Sequence, residues 1–186
     1  MSIPATNSAI DVAYWFINRA DKDGVAVEDE KLQHLLFLSQ LHYASAYNME
    51  FLMPSFFVCD ENGFSEPNLA VIFAQGRPFM PPKKLPEKAS LFLEKIWEKY
   101  KKSPVKELAK IVKSNPEYGT CLKAGHGNLA DMGRLVDGFN VMTGAVGRNN
   151  AYSDNQKKIL FSQNGPVIVS KWKPRKVSDT THKGEK

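Results

Sequence analysis

Apolar positions recur at helical spacing along most of this chain. Ala9, Val12, Ala13, Phe16 and Ala20 share one face, so residues 8–20 are expected to form an amphipathic helix with Ser8 as its N-cap. Asp21 to Gly24 stop it. Leu32, Leu35, Leu36, Ser39, Tyr43, Ala46 and Tyr47 then hold one face and predict a helix over Asp29 to Tyr47. The pattern breaks from Phe51 to Gly63, where Phe56, Phe57 and Val58 read as a short strand or buried loop near 55–59. Pro67 to Ala74 suits one short helix. Pro78, Pro81, Pro82 and Pro86 punctuate a linker, because proline lacks the N–H that a helix interior or central strand needs. Pro86 opens a helix with Ala89, Phe92, Leu93, Ile96, Trp97 and Tyr100 on one face and lysines on the other. Ser103-Pro104 restarts the chain as N-cap and first helical residue, with Val105, Leu108, Ala109 and Val112 facing inward. Asn128 is placed to cap a last helix that buries Met132, Leu135, Val136 and Phe139 and ends near Gly144.

Beyond residue 150 two patterns compete. Ser153-x-x-Gln156 resembles a capping box. Ile159 to Gln163 and Val167 to Trp172 instead flank Asn164-Gly165, a hairpin signal that Pro166 weakens. Strand-like structure, with a strand near 166–172, is the preferred reading. Val177 to Lys186 is polar and is expected to be a disordered tail. No internal repeat is present. The expectation is a mainly α protein: one compact domain over 1–176, of about five to six helices with a minor β element.

Composition narrows the class. Hydrophobic residues make up 42% and charged residues 24% of the 186 residues, as in ordinary globular chains. No apolar run approaches the roughly 20 residues that span a bilayer. Met1 to Ala9 carries neither a basic stretch nor an apolar core of a secretory signal. Cys59 and Cys121 are too few for a disulfide framework. A cytoplasmic protein is expected. The net charge of +5 hides an asymmetry: residues 1–80 hold four basic and ten acidic residues, and the other 21 basic residues lie in 81–186. Such halves attract each other across a fold, or present two faces to different partners.

Catalytic chemistry finds little support. His34 and His42 lie eight apart, two turns rather than the single turn of a zinc helix, and neither cysteine belongs to a C-x-x-C pair. Cys59 or Cys121 with His126 is the one candidate nucleophile and base, weighed against ordinary packing of free cysteine. Gly125-His126-Gly127 and Gly144 to Arg148 lack the lysine and the preceding strand of a phosphate loop. No metal, cofactor or enzymatic activity is expected. Nucleic acid has a better claim. Lys171, Lys173, Arg175 and Lys176 surround Trp172, a basic cluster with one aromatic suited to a phosphate backbone, and the lysines of 83–113 add a second basic surface.

The first two helices carry a more specific pattern. Asp11-Val-Ala-Tyr-Trp-Phe-Ile, a loop with Gly24, and Lys31-Leu-Gln-His-Leu-Leu-Phe-Leu-Ser-Gln followed by His42-Tyr43-Ala44 resemble the opening of the Panacea domain, the SocA-like antitoxin family also described as phage-associated proteins. That family opens with a short aromatic helix and a second helix beginning K-L-Q-K-L-L-Y-F. Lys31, Leu32, Gln33, Leu35, Leu36 and Gln40 match it; His34 and Phe37 replace its second lysine and its tyrosine. Leu93 to Tyr100, Ser103 and Leu108 resemble its later helix pair, so the likeness covers residues 8–115. The chain departs from the family's A-W-x-x-G-P-V stretch: Phe57 to Pro67 keeps Gly63 but has no tryptophan and no G-P-V. The resemblance implies an antitoxin that binds and neutralises a cognate toxin and, in the SocA type, delivers it to a ClpXP-like protease. Lys31, Gln33, Gln40, Phe64, Lys171, Trp172, Lys173 and Arg175 are the candidate partner contacts, and Trp15, Phe56, Phe57 and Phe79 are further candidate aromatic anchors. The alternative is a nucleic-acid-binding regulator that uses the basic C-terminal half.

Overall fold

A computed structural model describes residues 3–81 and 83–145, together with the backbone of 158–162 and 165–169. The chain divides into two units, Met1–Val146 and Gly147–Lys186. The first holds seven helices and a small hairpin: α1 (Ala9–Asp23), α2 (Asp29–Ala46), β1 (Val58–Asp60), β2 (Gly63–Ser65), α3 (Pro67–Phe73), α4 (Glu87–Tyr100), α5 (Val105–Lys113), α6 (Pro116–Ala124) and α7 (Met132–Thr143). In the second, β3 (Lys158–Ser162) and β4 (Gly165–Val169) pair antiparallel, with Phe161 opposite Pro166. The protein is mainly helical with a minor β element. The expected single domain over 1–176 spans both units, and its end at 176 and the expected tail at 177–186 lie outside the described residues.

Most elements follow local rules. Ser8 Oγ accepts from Ile10 N–H at 3.1 Å and caps α1, as its position before an apolar run requires. Glu66 caps α3 by accepting from Leu69 N–H at 2.7 Å. Three helix starts differ from expectation. Pro86 and Pro104 stand at the N-cap positions of α4 and α5, one residue before the first helical residue, so Ser103 lies outside α5. Asp131, not Asn128, caps α7 and accepts from Arg134 N–H at 3.0 Å. Asn128 instead donates to Gly125 O at 2.9 Å and belongs to a turn. That turn runs beside β1, where Cys59 N–H donates to Asn128 O and Ala130 N–H to Phe57 O. Helix α6 is not among the expected elements; it is short, and Gly119 lowers its helix propensity. Its start is nevertheless written in Asn115-Pro116, with Asn115 Oδ1 accepting from Glu117 N–H at 3.0 Å. Helix α7 crosses this cap at Gly138, where a Cβ would stand 2.8 Å from Asn115 Oδ1 and 2.9 Å from Pro116 Cδ.

Helix α2 is the centre of the first unit and packs against α1, α4, α5, α7 and β2. It is buried on nearly every side: Leu32, Leu35, Leu36 and Phe37 are fully covered, and Leu38 and Leu41 nearly so. Phe37 stacks on Phe64 with ring centroids 4.7 Å apart and meets Phe57 edge-on at 5.2 Å. The polar residues of α2 serve irregular backbone. Gln40, fully buried, donates from Nε2 to Met53 O at 3.2 Å and accepts at Oε1 from Met53 N–H at 3.1 Å. Two turns earlier, Gln33 repeats the arrangement on Glu66, with distances of 3.3 and 2.8 Å. Lys31 donates from Nζ to Lys101 O at 2.8 Å, at the C-terminal end of α4 where a cation is favoured.

The charge asymmetry has a counterpart between the halves of this unit. Asp11 pairs with Lys83 at 3.2 Å, Asp23 with Lys101 at 3.3 Å and Glu50 with Lys88 at 3.6 Å. These acids come from the first half and their partners from the second. Of the three, only Asp11 is buried, so the set guides docking more than it stabilises.

Each glutamine satisfies one backbone donor and one acceptor, and at Gln40 water cannot reach them. Gln40→Ala is expected to cost about 3 kcal/mol by leaving both Met53 groups unpaired over a small cavity. Gln33→Ala, at a half-buried position, should cost about half as much. Urea unfolding followed by circular dichroism measures both; losses within a few tenths of a kcal/mol would show that neither clamp matters.

Candidate functional site

The first half of α2, the β1–β2 hairpin and α3 enclose a cavity of about 410 Å³. Helix α2 contributes Asp29, Glu30, Gln33 and His34, and the hairpin contributes Asp60 and Asn62 to Ser65. Leu69, Ala70 and Phe73 of α3, with Ala74 at its C-cap, close it with an apolar wall. Asp60 shapes the turn: its Oδ1 accepts from Asn62 N–H at 2.7 Å and from Gly63 N–H at 3.1 Å. Gly63 has φ +137°, and a Cβ there would lie 2.9 Å from Val112 Cγ1 and 3.4 Å from His34 Cε1. Only glycine lets the hairpin lie this close to α5 and to the imidazole.

His34 is 2% exposed, and neither ring nitrogen has a hydrogen-bond partner. The nearest carboxylate oxygen, Glu30 Oε1, is 3.7 Å from Nε2. Burial lowers the His34 pKa and the Lys113 charge adds to this, while Glu30 and Asp60 oppose them. The ring is neutral at neutral pH, with one donor and one acceptor unused. Such a group costs roughly 1–3 kcal/mol when left unpaired. On the rim, Asp29 is held by Arg77 at 2.7 Å.

The expected contact residues fall in several places. Lys31, Gln40 and Phe64 are buried, with Lys31 7% exposed. They hold the fold together and present no docking surface, because a lysine and a glutamine at these positions are consumed by backbone groups of α4 and the 53 loop. Gln33 reaches the cavity rim, but both atoms of its amide are taken by Glu66. Phe64 forms cavity wall and core at once, stacked on Phe37. Lys171, Trp172, Lys173 and Arg175 lie outside the described residues. Among the aromatic candidates Phe57 is buried, whereas Phe56 is exposed and Phe79 is 94% exposed. Cys121 does not meet His126: its thiol donates to Asn128 O at 3.3 Å, and burial together with the neighbouring Cys59 thiol pushes its pKa up to about 12. A thiol so raised is a poor nucleophile at neutral pH.

In the sequence His34 is weighed only against His42, eight residues on, a spacing that excludes a zinc helix and leaves His34 without a role. The signal that could have found it is the substitution of histidine for the resembled family's lysine inside an otherwise apolar stretch. A second histidine, His42, sits between α2, α4 and α7. The Tyr100 hydroxyl lies 2.8 Å from His42 Nε2, and the His42 ring meets Phe139 edge-on at 4.7 Å. Burial and the Lys99 charge push His42 down to about 4, and burial pushes Tyr100 up to about 12. Lys99 Nζ, which can only donate, also lies 3.4 Å from Nε2, so Nε2 is the acceptor and Tyr100 donates to it.

Among the described residues no cluster of three or more His, Cys, Asp or Glu could hold a metal ion. None of the described helices is long and apolar enough to cross a membrane. No family model, curated protein or solved structure matches this chain.

The depressed histidines set an acid-labile window. Below the unfolded value of about 6.5 the unfolded chain takes up protons that folded His42 refuses until about pH 4. Stability should therefore fall as pH drops through that interval, with His34 acting in the same direction. Asp23, held down to about 2 chiefly by the Trp97 indole N–H, begins to lose its contribution only below its ordinary value near 4. Comparing urea unfolding at about pH 7 and about pH 4.5, His42→Gln should shrink the loss by about 2 kcal/mol. An unchanged loss would mean that His42 takes up its proton as readily in the fold as in the unfolded chain.

Proposed function

We propose that this protein is an antitoxin of the Panacea type: it binds a cognate toxin in the cytoplasm, neutralises it and delivers it to a ClpXP-like protease. One observation carries the reading. The matched residues Lys31, Gln33 and Gln40 are not incidental positions on an amphipathic helix. Each docks the backbone of a different segment onto α2, at Lys101, Glu66 and Met53. A motif with that duty is conditional on one arrangement of helices, so a likeness in it is a likeness in fold organisation and not merely in leucine spacing.

The surface left for a partner agrees with binding. Phe79 projects from a segment fixed on both sides. The Tyr14 hydroxyl donates to Pro78 O, Arg77 donates to Val27 O, and Lys83 reaches Asp11 at 3.2 Å. A pinned, exposed aromatic residue loses little freedom on binding, which is how an interface gains affinity from few residues.

The test is neutralisation in cells. The neighbouring gene is induced alone and together with this one, in strains with and without the ClpXP-like protease. Relief of growth arrest by this protein, with the toxin's half-life shortened only when the protease is present, is the expected outcome. Phe79→Ala should weaken toxin binding at least about tenfold while leaving unfolding unchanged. Absence of any neutralisation, with recovery of nucleic acid that falls steeply with salt, would replace this reading by the regulator that uses the basic half.

A further inference from the structure

The cavity between α2, the hairpin and α3 has a chemistry that selects its occupant. Its lining carries three carboxylates, Asp29, Glu30 and Asp60, and neither lysine nor arginine. Asp29 is neutralised by Arg77, and Lys113 is near enough to act on His34. Asp60 accepts at Oδ1 from Asn62 and Gly63 N–H and at Oδ2 from the Ser65 hydroxyl, and no lysine or arginine pairs with it among the described residues. Glu30, 48% exposed, has no lysine or arginine partner among the described residues. The cavity thus keeps an excess of negative charge beside the apolar surfaces of Phe64 and Phe73.

The second observation is independent of that charge. His34 lines the same cavity, is 2% exposed and has two ring nitrogens that no group of the fold satisfies. A neutral imidazole offers one N–H and one lone pair. Glu30 Oε1, 3.7 Å from Nε2, stands ready to take the N–H after a small swing of a half-exposed side chain. The lone pair then remains for an incoming N–H donor. An anion would meet the carboxylates, and a purely apolar group would leave both the carboxylates and the imidazole unmet.

We infer that this cavity binds a primary amine or guanidinium carried on an apolar stem. The cationic head sits between Glu30 and Asp60 and donates to His34, and the stem lies along Phe64 and Phe73. This is the chemistry of a lysine or arginine side chain and equally of a free alkyl amine. The inference rests on the cavity alone. Amine binding is measured on the purified protein and neutralisation in cells, so either can fail without the other.

Nitrogen-15 NMR on the full chain tests it, with Nα-acetyl-lysine methylamide, n-butylamine and the uncharged Nα-acetyl-norleucine methylamide as probes. Both amines should shift the amide signals of His34 and Gly63, and the norleucine compound should bind far more weakly. Glu30→Gln should weaken amine binding about fivefold, the worth of one half-exposed ion pair. His34→Phe should weaken it as well. If that variant fails to fold, Glu30→Gln and the norleucine comparison decide alone. Tighter binding of the lysine derivative than of n-butylamine would assign the site to a partner polypeptide's side chain, and the reverse order to a free amine. The inference is overturned if no amine shifts these signals at millimolar concentration, if norleucine binds as well as lysine, or if Glu30→Gln binds unchanged.

Discussion

Backbone groups in irregular segments must find partners wherever water is excluded, and in this protein three side chains of one buried helix supply them. Gln33 and Gln40 each present a donor and an acceptor to the backbone C=O and N–H of a single residue, Glu66 and Met53, as a neighbouring strand would. Lys31 takes the carbonyl of Lys101 as α4 ends. Helix α2 can therefore be surrounded by other elements without leaving the 53 loop or the start of α3 unsatisfied. The hydrophobic packing of Leu32, Leu35, Leu36 and Phe37 supplies the driving force, but it is non-directional. The paired amide bonds decide which segment lies where.

The cavity follows from that constraint. Gln33 fixes the entry into α3, and Asp60 and Gly63 fold the hairpin back toward α2 and α5. The elements meet around His34 without filling the space in front of it. A histidine with unmet hydrogen-bonding capacity is a cost to stability, and it persists where a site makes use of it more readily than where packing alone is at stake. The same helix carries a contrasting case: His42 has the Tyr100 hydroxyl and Lys99 Nζ at its Nε2. Two histidines of similar sequence context thus have different standing, one closed within the packing of α4 and α7 and one bordering a cavity.

Charge plays a supporting part. The acidic first half and basic second half meet in ion pairs at Asp11, Asp23 and Glu50, which orient α4 and its preceding linker against α1 and the end of α2. Asp23 also accepts the Trp97 indole N–H at 2.8 Å and so ties the end of α1 to the core face of α4. The linker that joins α3 to α4 is held by Arg77 and Lys83, and it leaves Phe79 in solvent.

Most helices and the cap of α1 are legible in the chain because they depend on neighbours only a few residues away: Ser8 before an apolar run, the leucines of α2, the aromatic face of α4. Asn115-Pro116 carried an equally local signal that the broken period of α6 obscured. The K-L-Q pattern was also visible, but its meaning was not. Spacing along a helix shows which residues share a face, and it cannot show that Gln40 lies opposite Met53 or that Lys31 reaches residue 101. Those pairings join positions far apart in sequence, and they turned presumed contact residues into internal fasteners. The cavity is of the same kind. His34, Asp60 and Phe73 come from three elements, and only their packing, with Gly63 allowing the close approach, brings them together around one space.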